Sequence, residues 1–191
     1  MSTSDFLNFY FNQYRALLVS EEIEAGIHEF AQLARSVRDR KAKMMFAGNG
    51  ASASISEHGA VDFTKQGGVR GITFHDPNLI TCFANDFGYD HWMAKAVEHH
   101  GDEGDAVVLI SASGESPSVV NAARAARRLG MSVVTFSGRN PDNALRALGQ
   151  INFWCDSHAY NVVENLHSIW LTATIDLLIG KAEYETRSLV E

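Results

Sequence analysis

The sequence is short of proline, cysteine and positive charge. Its 191 residues include 3 Pro, 2 Cys and 16 Lys or Arg against 23 Asp or Glu, which gives a formal net charge of -7. A chain this acidic offers no basic surface for a phosphate backbone, so we expect no direct binding of nucleic acid. Cys82 and Cys155 lie far apart without a metal-spaced partner, which is typical of buried free thiols in a reducing cytosol.

Long apolar runs are also missing. The N-terminus MSTSDFLNFYFNQYRALL has no basic leader followed by an apolar run, so we expect no signal peptide. No stretch approaches the roughly 18 apolar residues of a membrane span, and we expect no membrane partner. With 46% hydrophobic residues in a length typical of one domain, the sequence predicts a single cytoplasmic domain with a full core.

Two amphipathic helices are predicted between residues 4 and 38. Apolar residues recur there at three- and four-residue spacing, and Ser20 followed by Glu21 and Glu22 is typical of a helix start. The break between the helices is therefore expected at Val19 and Ser20. We assign residues 1–38 to an N-terminal helical extension and residues 39–191 to the main domain, both within one structural unit.

From Lys43 onward, short apolar segments alternate with helical ones. Five strands are predicted, beginning near residues 43, 68, 106, 131 and 151. Continuous runs such as AVVLISASG indicate strands buried on both faces, and their alternation with helices implies a parallel sheet with helices on both sides. The sequence thus predicts a three-layer, doubly wound α/β fold with five parallel strands.

Glycine and hydroxyl residues gather where three of these strands end. The turns are GNGAS after the first strand, SASGES after the third and SG after the fourth. Ligands of open parallel sheets bind beyond the carboxyl ends of the strands, so these turns would line one crevice. Any one of them is explained by a tight strand-to-helix connection, but the three together favour a ligand.

The segment SASGESPS has the parts of an anion site. Ser111, Ser113 and Ser116 supply hydroxyls, Gly114 permits close approach of the backbone, and a helix begins near Pro117 with free amides. No P-loop lysine follows and no Gly-x-Gly-x-x-Gly is present, so neither a nucleoside triphosphate nor a dinucleotide is indicated. The alternative is a serine-capped helix without a ligand. A neutral cradle of this kind suits the monophosphate of a small molecule.

Few other polar residues offer chemistry. His58 and Asp62 share one face of the helix after the first strand. On the last helix, Asn161, Glu164 and Thr172 fall within one arc. A histidine and a carboxylate one turn apart can be a metal pair, a general acid–base pair, or only a local hydrogen bond.

Four blocks of the sequence resemble the phosphoheptose isomerases of the sugar isomerase (SIS) domain superfamily. They are GNGASASISEHGAVDFT, CFANDFGYD, GDAVVLISASGESPSVVNAARAARRLGMSVVTFSG and VVENLHSIW. The resemblance covers nearly the whole chain. It implies a flavodoxin-like sheet, a cytoplasmic homotetramer joined through residues 1–38, and interconversion of sedoheptulose 7-phosphate and D-glycero-D-manno-heptose 7-phosphate or a related C6 or C7 phosphosugar. Such enzymes serve lipopolysaccharide or other heptose-containing glycans, and members often carry zinc.

The resemblance also assigns roles to individual residues. Binding of the phosphosugar falls on Asn49, Gly50, Ser52, Asp86, Ser111, Ser113, Ser116 and Asn161. The catalytic set departs from the family. The family's glutamate base falls on Asp62 and its metal-binding histidine on His58. Its glutamine falls on Glu164, and its second catalytic histidine falls on Thr172.

These departures leave two functions open. The first is an isomerase in which Asp62, Glu164 and His58 are catalytic, and the same three side chains form a candidate site for zinc or another divalent ion. The second is a phosphosugar-binding regulator without catalysis, like the tetrameric family member that associates with a replication initiator, because Thr172 cannot shuttle protons as a histidine does. The retained His58, the acid at position 62 and the NDFG block favour the enzyme.

Overall fold

Strands and helices alternate from Lys43 onward, as the sequence predicts. The structure, a computed structural model, describes residues 1–183. The tail AEYETRSLVE, which the sequence predicts to fray after the last helix, lies largely outside the described residues. The strands are β1 (Lys43–Gly48), β2 (Arg70–Thr73), β3 (Ala106–Ser111), β4 (Ser132–Gly138) and β5 (Ile151–Cys155). They pair in parallel in the order β2-β1-β3-β4-β5, which is the doubly wound order of flavodoxin-like folds. The predicted fold class is confirmed.

Helices cover both faces of the sheet. They are α1 (Thr3–Leu17), α2 (Glu21–Asp39), α3 (Ala51–Lys65), α4 (Pro77–Phe87), α5 (Trp92–His100), α6 (Pro117–Arg128) and α7 (Tyr160–Ile179), with a short 3₁₀ helix at Arg146–Leu148. Apolar side chains of α2, α3 and α7 form the core on one face. Those of α4, α5 and α6 form the core on the other. The carboxyl ends of the strands are left open between the two layers.

The first two helices contribute differently to the core. Ser20 caps α2 by accepting a hydrogen bond from the Ile23 amide at 3.2 Å, which confirms the predicted break. Helix α2 buries Phe30 and Val37 against the sheet, whereas α1 has no buried residue. The boundary at residue 38 therefore does not separate two cores, because α2 is part of the main one.

Helix α7 corrects the expectation that no segment is long and apolar enough to span a membrane. Its 20 residues contain a window with a mean hydropathy of 1.2, and half of that window is buried inside the domain. The helix packs against α2 and α3 and buries Trp170 and Leu171 in the core. Its apolar composition is that of a central core helix.

The two cysteines have different environments. Cys155 is buried at the end of β5, and burial, with a smaller effect of the Asp156 charge, raises the pKa of its thiol to about 11. Cys82 is exposed, so the prediction that both thiols are buried is wrong for this residue. The reason is that α4 only partly covers the sheet and buries none of its residues.

Candidate active site

A cavity of about 120 Å³ lies at the carboxyl end of the sheet. Its polar lining comes from the turns after β1 and β3 and from the start of α7, and consists of Asn49, Ser52, Ser111, Ser113, Ser116, Tyr160 and Glu164. Six of these seven residues are among those predicted from the sequence. The fold brings them together because β1 and β3 are neighbours in the sheet, so their turns open side by side.

The three serines of the β3–α6 turn form a cluster of hydroxyls. The Ser111 hydroxyl donates to Ser116 Oγ at 3.2 Å and lies 3.5 Å from Ser113 Oγ. Ser116 is the N-cap residue of α6, but its side chain makes no capping bond to the helix. The alternative of a simple serine-capped helix therefore does not describe this turn. Its hydroxyls and the first amides of α6 face a cavity in which an anion can accept hydrogen bonds.

Gly114 fixes the shape of this turn. Its φ of +69° is in the left-handed region, and a Cβ atom at this position would overlap the side chain of Asn143. Asn143 in turn donates to Ser137 Oγ at 3.1 Å, and the Leu145 amide donates to the Gly114 carbonyl at 2.9 Å. The sequence interpretation, that this glycine permits close approach of a ligand, needs correction, because its close neighbour is Asn143.

The turn after β1 is connected by side-chain hydrogen bonds to Ser118 on α6 and to Tyr89. The Asn49 amide donates to Ser118 Oγ at 3.0 Å, and the Tyr89 hydroxyl donates to Asn49 Oδ1 at 3.2 Å. Gly50 does not line the cavity, but its φ of +58° turns the chain into α3 so that Ser52 does. Gly50 and Asn49 thus set the direction of this turn, and both are uncharged.

Glu164 brings an ionisable group to the same cavity. It lies in the second turn of α7, and burial raises the pKa of its carboxyl. A carboxyl whose pKa is raised, placed beside hydroxyls in a concave site, is suited to accept and return a proton. Of the three predicted catalytic residues, Glu164 is the one that lines the cavity within this chain.

Tyr160 is a lining residue that the sequence analysis missed. Its ring stacks under the Arg139 guanidinium, 4.3 Å from the ring centroid. Arg139 directly follows β4 and has a positive φ of 61°, which is uncommon for a residue with a side chain. The sequence offered one indication of this role, which is the position of Tyr160. It is the first residue of the helix after β5, and it stands next to the predicted site residue Asn161.

His58 and Asp62 form a pair away from the cavity. His58 Nε2 lies 3.1 Å from Asp62 Oδ2, and the His58 side chain is 57% exposed. Gly59 lies against Leu171 and Gly67 against Leu178, so α3 and α7 run side by side in one direction. The Gly59–Leu171 contact pairs residues whose numbers differ by 112, and the same offset pairs Ser52 with Glu164. These two residues therefore lie at about the same height along the helices. At about 1.5 Å per residue, Glu164 lies about 9 Å along the helices from His58 and about 15 Å from Asp62.

The predicted metal site is therefore not assembled within one chain. Among residues 1–183, no three His, Cys, Asp or Glu side chains lie close enough together to hold a metal ion. The set of His58, Asp62 and Glu164 needs correction on this point, because their positions along α3 and α7 keep Glu164 apart from the other two. The hydroxyls that surround Glu164 do not form a zinc site either, since zinc prefers nitrogen, sulfur and carboxylate ligands.

Two other predicted site residues, Asp86 and Asn161, do not line the cavity, and neither does Thr172, on which the family's second catalytic histidine falls. Asp86 is exposed in the last turn of α4 and accepts a hydrogen bond from the Asn85 side chain at 2.9 Å. Asn161 is exposed, and its carbonyl accepts from the Tyr14 hydroxyl at 3.4 Å. The Thr172 hydroxyl donates within its own helix, to carbonyls one turn earlier at 3.0 and 3.1 Å. Thr172 thus does not supply the proton donor that a histidine would.

Comparison with known proteins agrees with this arrangement. A profile of the SIS domain family matches residues 9–138. The phosphoheptose isomerase of Fusobacterium nucleatum is 29% identical over 87% of this chain and 88% of its own length. That of Aeromonas salmonicida is 33% identical over 66% of this chain and 68% of its own. The structure of a phosphoheptose isomerase from Neisseria gonorrhoeae superposes with a TM-score of 0.82 at 24% identity, covering 94% of this chain and 100% of that one.

The structural match covers nearly the whole fold, and the sequence match to the family includes the turn that ends β3. The family profile spans α2, the turn after β1 and the whole β3–α6 turn, so it includes most of the residues that line the cavity. These matches and the fold agree, and the chain belongs to the phosphoheptose isomerase family of SIS domain proteins.

Proposed function

We propose that this protein is a phosphosugar isomerase that interconverts sedoheptulose 7-phosphate and D-glycero-D-manno-heptose 7-phosphate, or a related C6 or C7 ketose and aldose phosphate. The observation that carries the proposal is the shared cavity of the serine cluster and Glu164. The serine cluster provides hydrogen-bond donors for a phosphate, and Glu164 provides an acid–base group. The curated relatives reported above bear the name of this activity.

The phosphate would bind to the serine hydroxyls and to the first amides of α6. A protein with a net charge of -7 has to hold a dianion through such neutral donors and through the helix dipole. The sugar chain would then extend from the serine turn toward α7. This orientation places the carbons nearest the aldehyde or ketone at the Glu164 end of the cavity.

Isomerisation through an enediol needs a base that moves a proton between two adjacent carbons. Glu164, as a carboxylate, would take the proton from C1 of the ketose to give the enediol and return it to C2, so that the carboxylate is regenerated. A second proton moves from the C1 hydroxyl to the C2 oxygen, and a neighbouring hydroxyl or water can relay it. The raised pKa of Glu164 increases its basicity, which favours this transfer.

The site would be completed in a homotetramer, which we also propose for the protein in the cytoplasm. Exposed apolar side chains lie on α1, α3 and α7, among them Phe6, Phe11, Val61, Ile169 and Leu177. Burying them against other copies would remove a large apolar surface from water. The exposed His58–Asp62 pair lies next to Val61, so the same contact would bring this pair toward the cavity of another subunit.

The direct test is turnover of purified protein with sedoheptulose 7-phosphate, followed by formation of the aldose. We expect turnover, which would place the enzyme in the synthesis of lipopolysaccharide or of another heptose-containing glycan. If several C6 and C7 phosphosugars stabilise the fold against heat but none is converted, the protein is instead a phosphosugar-binding regulator.

Coexpression of Glu164→Gln and Asp62→Asn chains tests the shared site. If each site takes Glu164 from one chain and Asp62 from another, random mixing restores up to about a quarter of the sites although each variant alone is inactive. Absence of any restoration, in tetramers shown by mass to contain both chains, would mean that the two carboxylates do not serve one shared site.

A further inference from the structure

His75 is buried beside the cavity but does not line it. It lies two residues after the end of β2, and its side chain is only 7% exposed. The ring lies between the end of β1 and the outer face of α3. Its Nε2 atom is 3.1 Å from the Gly48 carbonyl oxygen, and its Nδ1 atom is 3.7 Å from Glu57 Oε1.

The hydrogen bond to Gly48 determines which nitrogen carries the proton. A carbonyl oxygen only accepts, so Nε2 must be the protonated nitrogen of the neutral ring. Burial lowers the pKa of the imidazole, which is consistent with a neutral ring near pH 7. Nδ1 then presents a lone pair, and it is a buried atom without a hydrogen-bond partner among residues 1–183.

An unpartnered buried nitrogen costs stability, so the orientation of the ring needs a reason. The Glu57 carboxylate does not provide it, because it is beyond hydrogen-bond distance and offers another acceptor to the Nδ1 lone pair. The remaining polar contact of the ring is the bond from Nε2 to Gly48. The ring is therefore held by the carbonyl at the point where β1 passes into the cavity turn.

Gly48 is followed directly by the residues that form one wall of the site. Asn49, the next residue, connects Ser118 on α6 with Tyr89 through its side chain, and Ser52 lines the cavity from the first turn of α3. A carbonyl and the following amide belong to one rigid peptide plane. Fixing the Gly48 carbonyl therefore fixes the direction in which the Asn49 backbone enters the turn.

We propose that His75 is a positioning residue, which holds the β1 turn through the Gly48 carbonyl so that Asn49 and Ser52 face the bound phosphosugar. The inference rests on the proposed function for the identity of the ligand. It assigns to His75 no contact with substrate and no proton transfer. Its effect is on the geometry of the turn, and so on affinity.

The test compares two amides at this position. In His75→Gln the side-chain NH₂ reaches approximately to the position of Nε2, whereas in His75→Asn it reaches only to that of Nδ1. We expect His75→Asn to raise the KM and the dissociation constant for sedoheptulose 7-phosphate by about 2- to 10-fold, the range of one lost hydrogen bond, with a smaller change in kcat. His75→Gln should restore most of the affinity.

The control is Glu57→Gln, which removes the charge that faces Nδ1 and leaves the Gly48 bond in place. We expect its affinity to stay within about twofold of the wild type. Equal loss in Glu57→Gln and His75→Asn, or wild-type affinity in a folded His75→Asn protein, would overturn the proposal.

Calorimetry separates this proposal from the proposed activity, because binding of the phosphosugar is measured whether or not it is converted. If the wild type binds no phosphosugar, or if His75→Asn does not fold, ¹⁵N NMR of the wild type and of His75→Gln decides the positioning role. A ring protonated at Nε2, with the Asn49 and Ser52 amide signals unchanged in His75→Gln, supports it. A ring protonated at Nδ1 contradicts it.

Discussion

The serine turn after β3 and the polar face of α3 are the two regions that the sequence marks for chemistry, and they are built differently. The serine turn takes Ser111, Ser113 and Ser116 from six consecutive residues, and the three hydroxyls lie together at the cavity. His58 and Asp62 come from successive turns of α3, and neither of them lines the cavity. Residues that are close in sequence therefore reach the cavity together in the serine turn but not on α3.

The reason for the difference is the direction of the two elements. A turn at the carboxyl end of a strand presents all its residues at the edge of the sheet, where ligands bind. A helix that begins at that edge carries each later residue farther from it, by about 1.5 Å per residue. Glu164 lies early in α7 and stays at the edge, whereas Asp62 lies near the end of α3. The proposed phosphate-binding serines thus lie together in one chain, whereas the proposed catalytic residues are divided between the cavity and the outer face of α3.

The largest effect should come from removing the Glu164 carboxyl, the ionisable group of the proposed catalytic set that lines the cavity. Glu164→Gln keeps the shape of the side chain and removes its acid–base function, so we expect kcat to fall by about 100- to 10,000-fold with little change in KM. Steady-state kinetics on the phosphosugar measures this. Asp176→Asn is the matched control, because burial is also the main cause of its raised pKa but it lies three turns farther along α7. If kcat of Asp176→Asn falls as far as that of Glu164→Gln, the effect of Glu164 is not specific to its place in the cavity.

Distorting the serine turn should have the next largest effect. Gly114→Ala places a methyl group against Asn143 and imposes a positive φ on alanine, so we expect a loss of about 2–4 kcal/mol in the free energy of unfolding and weaker phosphosugar binding. Gly180→Ala is the control, since Gly180 has φ +81° but no atom of residues 1–183 lies within 4 Å of the added Cβ. It should lose about 1 kcal/mol and bind normally. Equal losses in both variants would show that packing against Asn143 is unimportant.

A smaller effect should appear in stability as a function of pH. The folded state raises the pKa of Glu164 above its unfolded value of about 4.3, so its protonated form is favoured in the fold. Its contribution is therefore fully present below that pH and is lost as pH rises through the folded pKa. Thermal melting should show Glu164→Gln gaining stability relative to the wild type between pH 4 and pH 7. A difference that is constant with pH would contradict the raised pKa.

The smallest effect is expected from removing metal ions. The serine cradle binds through hydroxyls and amides and contains no group of metal ligands, so treatment with EDTA should change the dissociation constant of the phosphosugar by less than about twofold. Calorimetry before and after dialysis checks this. A tenfold loss of affinity that added zinc restores would show that phosphate binding depends on a metal ion.

Much of this protein follows from local sequence. Periodicity placed the first two helices and the starts of all five strands to within a few residues, and the local sequence also predicted the Ser20 cap and the buried strand β3. The serine turn could be predicted because its parts are neighbours in the chain. Tyr160 and the close neighbour of Gly114 could not, because both depend on segments that are distant in sequence and meet only in the fold.

The sequence by itself determined the order of the elements, the open carboxyl edge of the sheet and a neutral phosphate cradle, since each depends on the spacing of residues within one segment. Tertiary structure alone decided that Glu164 lies beside the serines, that His58 and Asp62 do not, and that the His75 ring contacts the Gly48 carbonyl. The physical reason is that these outcomes depend on how far α7 is shifted along α3 and on how β2 packs beside β1. Side chains from separate segments determine such offsets, and no local pattern records them.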